Sequence, residues 1–442
     1  MSMTEAGSEA GRFTAMRDGA APVVVVSPRA ALRVRQGYPL VARTEIATPP
    51  AEGAEVVWLV ERRGTREQLL GSALWCPRGP IAARVLSREA VVLDRELLRQ
   101  RIAAADARRK ALFGGVQPAR TAYRVVHGEA DLLPGLFVDR YADAAVLQTA
   151  TAAMDAHEEV IAEVLGETLG VTTVVCRDDG SARDLEELPR KKGILRAAAP
   201  AGGARAGGAA AEGSRIAAGS LMVRFDDAGS PMEADLLADR KTGSFLDQQE
   251  NHACAADYAR RLHPGGRALD AFCYHGGFAL ALARAGLHVL ACDEDPQAIG
   301  RARHNARLGA VRVDFEVHNA FDLLRSLEAA GRRFEVVVLD PPALAKRGVK
   351  GPGGPSGAAM RAYKELNLRA LRLLAPGGLL VSCSCSGRVS AADFGAMLDD
   401  AARDVGRPLQ ILERRGAGRD HPGLCCMPES EYLKCWLLRA VD

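Results

Sequence analysis

No run of residues in this chain is long and apolar enough to span a bilayer. The first twenty residues carry Glu5, Glu9 and Asp18 and lack the continuous apolar core of a secretory signal, so a cytoplasmic protein is expected. Neither sign of charge dominates: 58 Lys plus Arg against 55 Asp plus Glu leave a net charge of +3, which neither demands nor excludes a polyanionic partner. None of the ten cysteines forms a C-x-x-C pair, so they read as reduced thiols and not as a disulfide framework. Cys425 and Cys426 could in principle join Cys383 and Cys385 around a zinc ion, but neither spacing is a usual ligand hook, and no metal is expected.

What is present points to several domains, since 442 residues exceed what one hydrophobic core usually organises. Residues 22–95 offer short β-branched runs such as "PVVVVS" and "AEVVWLVE" between Gly, Pro and charged turns, which predicts a small β-rich domain or barrel. Residues 96–225 alternate helical and strand-like patterns and predict a small central α+β domain. Within it, residues 198–214 are almost all Ala and Gly, and read as a flexible linker. From Arg95 to Arg124, eight basic residues face only Glu96 and Asp106, a pattern that suits a phosphate backbone and equally suits a solvated helix face. Residues 226–442 hold a rhythm of strand, helix, strand, helix with continuously apolar strands, which predicts a doubly wound parallel sheet covered on both faces. Ligands in such sheets sit beyond the carboxyl ends of the strands, so functional residues are expected there.

Four strand ends carry candidates. "DAFCYHGGFAL" brings Gly276 and Gly277 to a helix N-terminus, where the backbone can approach a ligand closely. An adjacent pair is not the G-x-G-x-x-G of a dinucleotide site. Asp293, in "VLACDEDP", stands about twenty residues past that first motif, where a carboxylate can accept both hydroxyls of a ribose. Together they point to an adenosine ligand without a pyrophosphate. "VVVLDPPALAK" ends in Asp340, Pro341 and Pro342; the two prolines stiffen the backbone and remove N–H donors beside a flat polar ring. "LLVSCSCSG" brings Cys383 and Cys385 into the same crevice, on the same side of their strand if alternation holds.

These motifs, with "YRVVHGEADLLPGLFVDRYAD", "LPRKKG", "DRKTGSFLDQQENH" and "DHPGLCCMPESEYLK" in the same order, resemble class I S-adenosylmethionine-dependent methyltransferases. More closely, they resemble bacterial large-subunit ribosomal RNA cytosine-5 methyltransferases with an N-terminal PUA domain. The resemblance covers about residues 25–440. It implies a PUA-like β-barrel, S-adenosyl-L-methionine as cofactor, ribosomal RNA as partner, and a methyl group transferred to carbon 5 of a cytosine. By matching motifs it places Gly276 and Gly277 beside the methionine part of the cofactor, Asp293 on its ribose and Asn319 near its adenine. It makes Lys241, Thr242, Gly243, Phe245, Asp247 and Gln248 a segment closing over the cofactor. Asp340, Pro341 and Pro342 would cradle the cytosine, with Asp340 also bordering the cofactor and stabilising charge on the ring at its N3 and amino edge, and Cys385 would be the nucleophile. The match departs at Ala343, where some RNA cytosine methyltransferases carry a second cysteine, leaving Glu429 or solvent to take the carbon-five proton. It departs again in "RVRQGYPLV", which has Tyr38 and Leu40 around Pro39 and puts RNA docking by the first domain in question. The alternatives are a noncatalytic RNA-binding assembly factor and a methyltransferase acting on another RNA or base atom. Whether the chain forms a homodimer is left open.

Overall fold

The computed structural model describes residues 21–50, 53–114, 120–197, 214–217, 219–344 and 357–441. The first sheet has six strands, in the order Leu40–Ala42, Ile81–Ser87, Arg66–Trp75, Val56–Arg63, Val23–Val26 and Ile46–Thr48. All its pairings are antiparallel except Val23–Val26 with Val56–Arg63. The helix Pro28–Arg35 starts where the Ser27 hydroxyl accepts the Ala30 N–H, has Pro28 in its first turn, and buries Ala30, Ala31 and Val34 on the sheet. Gly71, at φ +140°, lies so close to the Ser87 carbonyl that a Cβ would be 2.0 Å from that oxygen, so only glycine fits.

The second sheet is ordered Lys191–Ala197, Thr173–Asp178, Ala144–Thr149, Leu136–Tyr141 and Ala122–His127. The helices Arg95–Phe113 and Glu158–Leu169 pack against it through Leu98, Ile102, Ile161 and Leu165. Much of the basic run, which suits a phosphate backbone or a solvated helix face, is paired with acids of this fold. Arg108 and Arg109 both pair with the buried Asp131, Arg95 with Glu167, Lys110 with Asp106 and Arg124 with Asp139. Only 2% of Arg109 is exposed. Counting charge along a segment missed these partners because most are supplied by other elements.

A three-stranded sheet follows, Ser214–Ala217, Ser220–Asp227 and Ser230–Asp235. The boundary expected at 225/226 falls within the strand Ser220–Asp227, and that strand pairs with Ser230–Asp235 across it. The expected linker lies, but for Ser214, outside the described residues.

The fourth sheet holds β1 (Arg267–Asp270), β2 (His288–Asp293), β3 (Val313–Val317), β4 (Phe334–Leu339), β5 (Leu374–Ser384), β6 (Leu409–Arg415) and β7 (Lys434–Ala440). Its order is β3-β2-β1-β4-β5-β7-β6; the first five strands are parallel, and β7 runs antiparallel to both neighbours. Six helices cover it: α1 (Gln249–Leu262), α2 (Gly277–Arg284), α3 (Pro296–Leu308), α4 (Ala320–Ala329), α5 (Gly357–Leu373) and α6 (Ala391–Val405). Two cores result, one on each face. Ala255, Phe278 and Ile299 of α1, α2 and α3 pack on one side, and Leu324, Leu371 and Phe394 of α4, α5 and α6 on the other. Chain order reverses between β1 and β4, so the crevice of a doubly wound sheet opens at their carboxyl ends.

Candidate active site

A cavity of about 260 Å³ lies at that reversal point. At the end of β1, Asp270 is buried; its Oδ1 accepts the Phe272 N–H at 3.4 Å and its Oδ2 has no partner. Burial pushes its pKa up to about 7. Gly276 takes φ +96° to turn the chain into α2. Gly277 borders the cavity, where a Cβ would stand 2.2 Å from Cε1 of the His252 ring. His252, nearly buried, is held through Nδ1 by Asp227 Oδ1 at 2.9 Å. Burial would lower the imidazole pKa, and Asp227 reverses that into a net rise.

At the end of β2, Asp293 lines the cavity. Its two oxygens accept the N–H groups of Tyr274 and Asp295, each at 3.0 Å, so β2 fixes the loop after β1. Asn319 also borders the cavity and caps α4, its Oδ1 accepting the Phe321 N–H at 3.0 Å while Nδ2 donates to Glu294 at 3.3 Å.

The segment before α1 forms the opposite wall. Lys241 Nζ is 3.1 Å from Asp247 and 4.1 Å from the Phe245 ring centroid. Asp247 also accepts the Tyr432 hydroxyl at 2.6 Å. Burial opposes its ionisation, but Lys241, His421 and Tyr432 hold its carboxyl well below the usual range. Thr242 and Gly243 do not border this cavity. Thr242 donates to Asp139 at 2.7 Å, and Gly243, at φ +131°, packs on Leu236, so these two fasten the segment to the central domain.

At the end of β4, Asp340 accepts a hydrogen bond from Gln248 Nε2 at 3.1 Å, and Asn251 holds Gln248 in turn at 2.6 Å. Burial, reinforced by Asp247, raises the Asp340 pKa to about 6. Pro341 and Pro342 border the same cavity. The two cysteines of β5 part company. Cys383 is buried opposite Cys435 on β7. Cys385, just past the strand, is half-buried and lines the cavity, its Sγ 3.9 Å from the Pro341 carbonyl. Burial, with Asp340, pushes the Cys385 thiol up to about 11.

One expectation requires correction. Glu429 does not border the cavity; its carboxylate accepts the Tyr38 hydroxyl at 2.5 Å and ties the first domain to the third. Cys425 and Cys426 gather no metal-like cluster with Cys383 and Cys385. Among the described residues, Glu158, Cys176 and Asp178 form one such group, and Lys191 and Arg183 already pair with its carboxylates. The sequence reading missed Asp270, Asp227, His252, Tyr274 and Phe321. Asp270 carried a signal, an acidic residue at the end of an apolar strand, whereas Asp227 and His252 meet from separate elements and left none.

A family model described as a methyltransferase domain matches residues 262–416, and one described as a PUA-like domain matches residues 24–88. The ribosomal RNA large subunit methyltransferase I of Tolumonas auensis is 33% identical over 395 residues, 88% of this chain and 91% of that protein. The protein of the same name from Shewanella amazonensis is 34% identical over 370 residues, 83% of this chain and 86% of its own length. The fold is shared with a structure from Streptococcus mutans assigned to the SAM-dependent methyltransferases (TM-score 0.75, 15% identity, covering 95% of this chain and 100% of that one). With a PUA-like domain ahead of a methyltransferase domain, and similarity along nearly the full length of such relatives, the chain belongs to the ribosomal RNA large subunit methyltransferase I family.

Proposed function

We propose that the protein methylates carbon 5 of a cytosine in large-subunit ribosomal RNA through a covalent adduct with Cys385. The observation that carries this reading is the placement of Cys385 in one cavity with Asp340, Pro341 and Pro342, while Cys383 packs in the core. The names of the relatives support ribosomal RNA as substrate.

S-adenosylmethionine is the cofactor, and when bound it supplies an electrophilic methyl group on a sulfonium. The cavity fits it. Asp293 and Asn319 offer polar atoms for the ribose and adenine, and Gly277 brings backbone to the cavity wall without a side chain. Lys241, Phe245, Asp247 and Gln248 wall the cavity on the side facing the central domain.

Carbon 5 of cytosine is a weak nucleophile until a thiolate adds at carbon 6. Asp340, with a pKa near 6, is poised to take the Cys385 proton and pass it to N3 of the ring. As the S–C6 bond forms, the C5=C6 pair shifts into C5=C4, N3 gains the proton, and carbon 5 becomes an enamine carbon able to accept the methyl group. Asp340, ionised again, is then the cavity carboxylate best suited to remove the carbon-five proton. Asp247, held well below the usual range, is the poorer base. Loss of that proton re-forms C5=C6 and expels the thiolate, and the N3 proton returns to the departing sulfur, restoring the neutral ring and the Cys385 thiol. The test is to map 5-methylcytosine in ribosomal RNA from cells with and without the gene. A single site that disappears and returns with the wild-type gene supports the reading, whereas unchanged RNA that still needs the gene for assembly supports a noncatalytic factor.

A further inference from the structure

Lys434 begins β7 and has no place in the chemistry above. Its register partner is Ser384, the residue before Cys385. Only 5% of its surface is exposed. The ammonium donates to the carbonyl of Ser386 at 2.5 Å and to that of Tyr432 at 2.9 Å. Among the described residues no carboxylate forms an ion pair with it, and Cys385, next to its register partner Ser384, is the ionisable group whose charge acts on it. A buried ammonium without a counter-ion costs several kcal/mol and usually moves its pKa or finds an anion. Here the Ser386 carbonyl, one residue past the cysteine, and the Tyr432 carbonyl at the approach to β7 anchor it, so the anion it can meet is a thiolate.

We propose that Lys434 is the positioning and charge-balancing partner of Cys385, fixing the loop that presents the sulfur and compensating the negative charge that develops there. This rests on the thiolate route above. Lys434 remains protonated throughout; the thiol proton goes to Asp340, and the ammonium lowers the energy of the sulfur anion left behind. The other charged or titratable groups around the sulfur are Asp340 and Asp247, which oppose the anion, Lys241, which favours it from the far wall, and Tyr363 of α5. Burial brings the Lys434 ammonium down to about 8, while Cys385 pulls it the other way. The stabilising charge is therefore present below about pH 8 and fades above it.

The test reads the thiol directly, without RNA. Full-length protein is alkylated with iodoacetamide between pH 6 and 8, where the Lys434 ammonium is charged, and the rate of Cys385 modification is followed by fragment mass spectrometry. In Lys434→Met that rate falls about tenfold or more relative to wild type, and Lys434→Arg restores most of it. An unchanged rate in folded Lys434→Met overturns the proposal. If that variant does not fold, the titration of Lys434 in wild type and Cys385→Ser, read by NMR of side-chain-labelled lysine, decides. A lower Lys434 midpoint once the thiol is gone supports the pairing, and an identical midpoint refutes it. Adduct formation on RNA is scored separately, so a coupled pair that never traps cytosine would sink the functional reading and leave the pairing intact. Adducts with an uncoupled thiol would do the reverse.

Discussion

Carboxylates at the mouth of the sheet differ in charge because their surroundings differ. Asp247 is held ionised by Lys241 and Tyr432, whereas Asp270 and Asp340 are pushed up to about 7 and about 6 by burial. Both raised groups bind protons in the folded state that the unfolded chain releases above its ordinary value near 4. Stability of the cofactor-free protein should therefore fall as pH rises from about 4 to about 7. Thermal melts of Asp270→Asn should show a flatter dependence across that window, and an unchanged slope would place the titration elsewhere. Asp293→Ala should weaken binding of S-adenosylhomocysteine by about 1.5–3 kcal/mol, roughly 10- to 150-fold, through lost charge-assisted hydrogen bonds. Calorimetric titration measures this, and equal affinity would move the ribose site. Asp340→Asn should keep cofactor affinity within a few-fold while abolishing methyl transfer, because the amide cannot relay a proton; methyl incorporation into RNA beside the same titration separates the two effects.

Elements, not single residues, decide what the basic run does. The helix Arg95–Phe113 spends its charges on the acids of its own fold, and Arg109 is locked in a buried bidentate pair with Asp131. Arg109→Ala should therefore destabilise the protein by about 1–3 kcal/mol, because buried Asp131 keeps only the half-exposed Arg108 as counter-ion. Denaturant unfolding followed at the central domain tests this, and a loss below about 1 kcal/mol would return the arginine to ordinary surface. Element identity was legible where period and length agreed: β1, β2, β4 and β5 each stand as an apolar run followed by a helical pattern, and β3 alternates apolar and acidic residues before its helix. The last two strands were harder to read. Leu409–Arg415 mixes exposed and half-buried residues at the sheet edge, and Lys434–Ala440 is almost wholly buried and inserts antiparallel between earlier strands. Its place depends on long-range pairing that no local pattern encodes. The hairpin Ser220–Asp227 and Ser230–Asp235 was divided for a similar reason, since its partners include residues of both neighbouring domains.

Across the whole molecule, Gly277, Asp293, Asp340, Pro341, Pro342 and Cys385 of the strand-end motifs share one cavity, which Gly276 does not border, although they span more than a hundred residues of sequence. Topology explains this, because every parallel strand delivers its carboxyl end to the same edge. What stayed hidden were pairs assembled across domains or strands, such as Asp227 with His252, Tyr38 with Glu429, and Lys434 beside Cys385. Each partner alone is an unremarkable polar residue. The central claim is that Cys385, and not Cys383, attacks the base. A fluorine at carbon 5 of the target cytosine blocks the final proton loss and freezes the adduct. With cofactor and such RNA, wild type and Cys383→Ala should give a gel-stable protein–RNA adduct and Cys385→Ala none. Trapping by Cys385→Ala but not by Cys383→Ala, or no adduct from wild type on an RNA it methylates, would contradict the account.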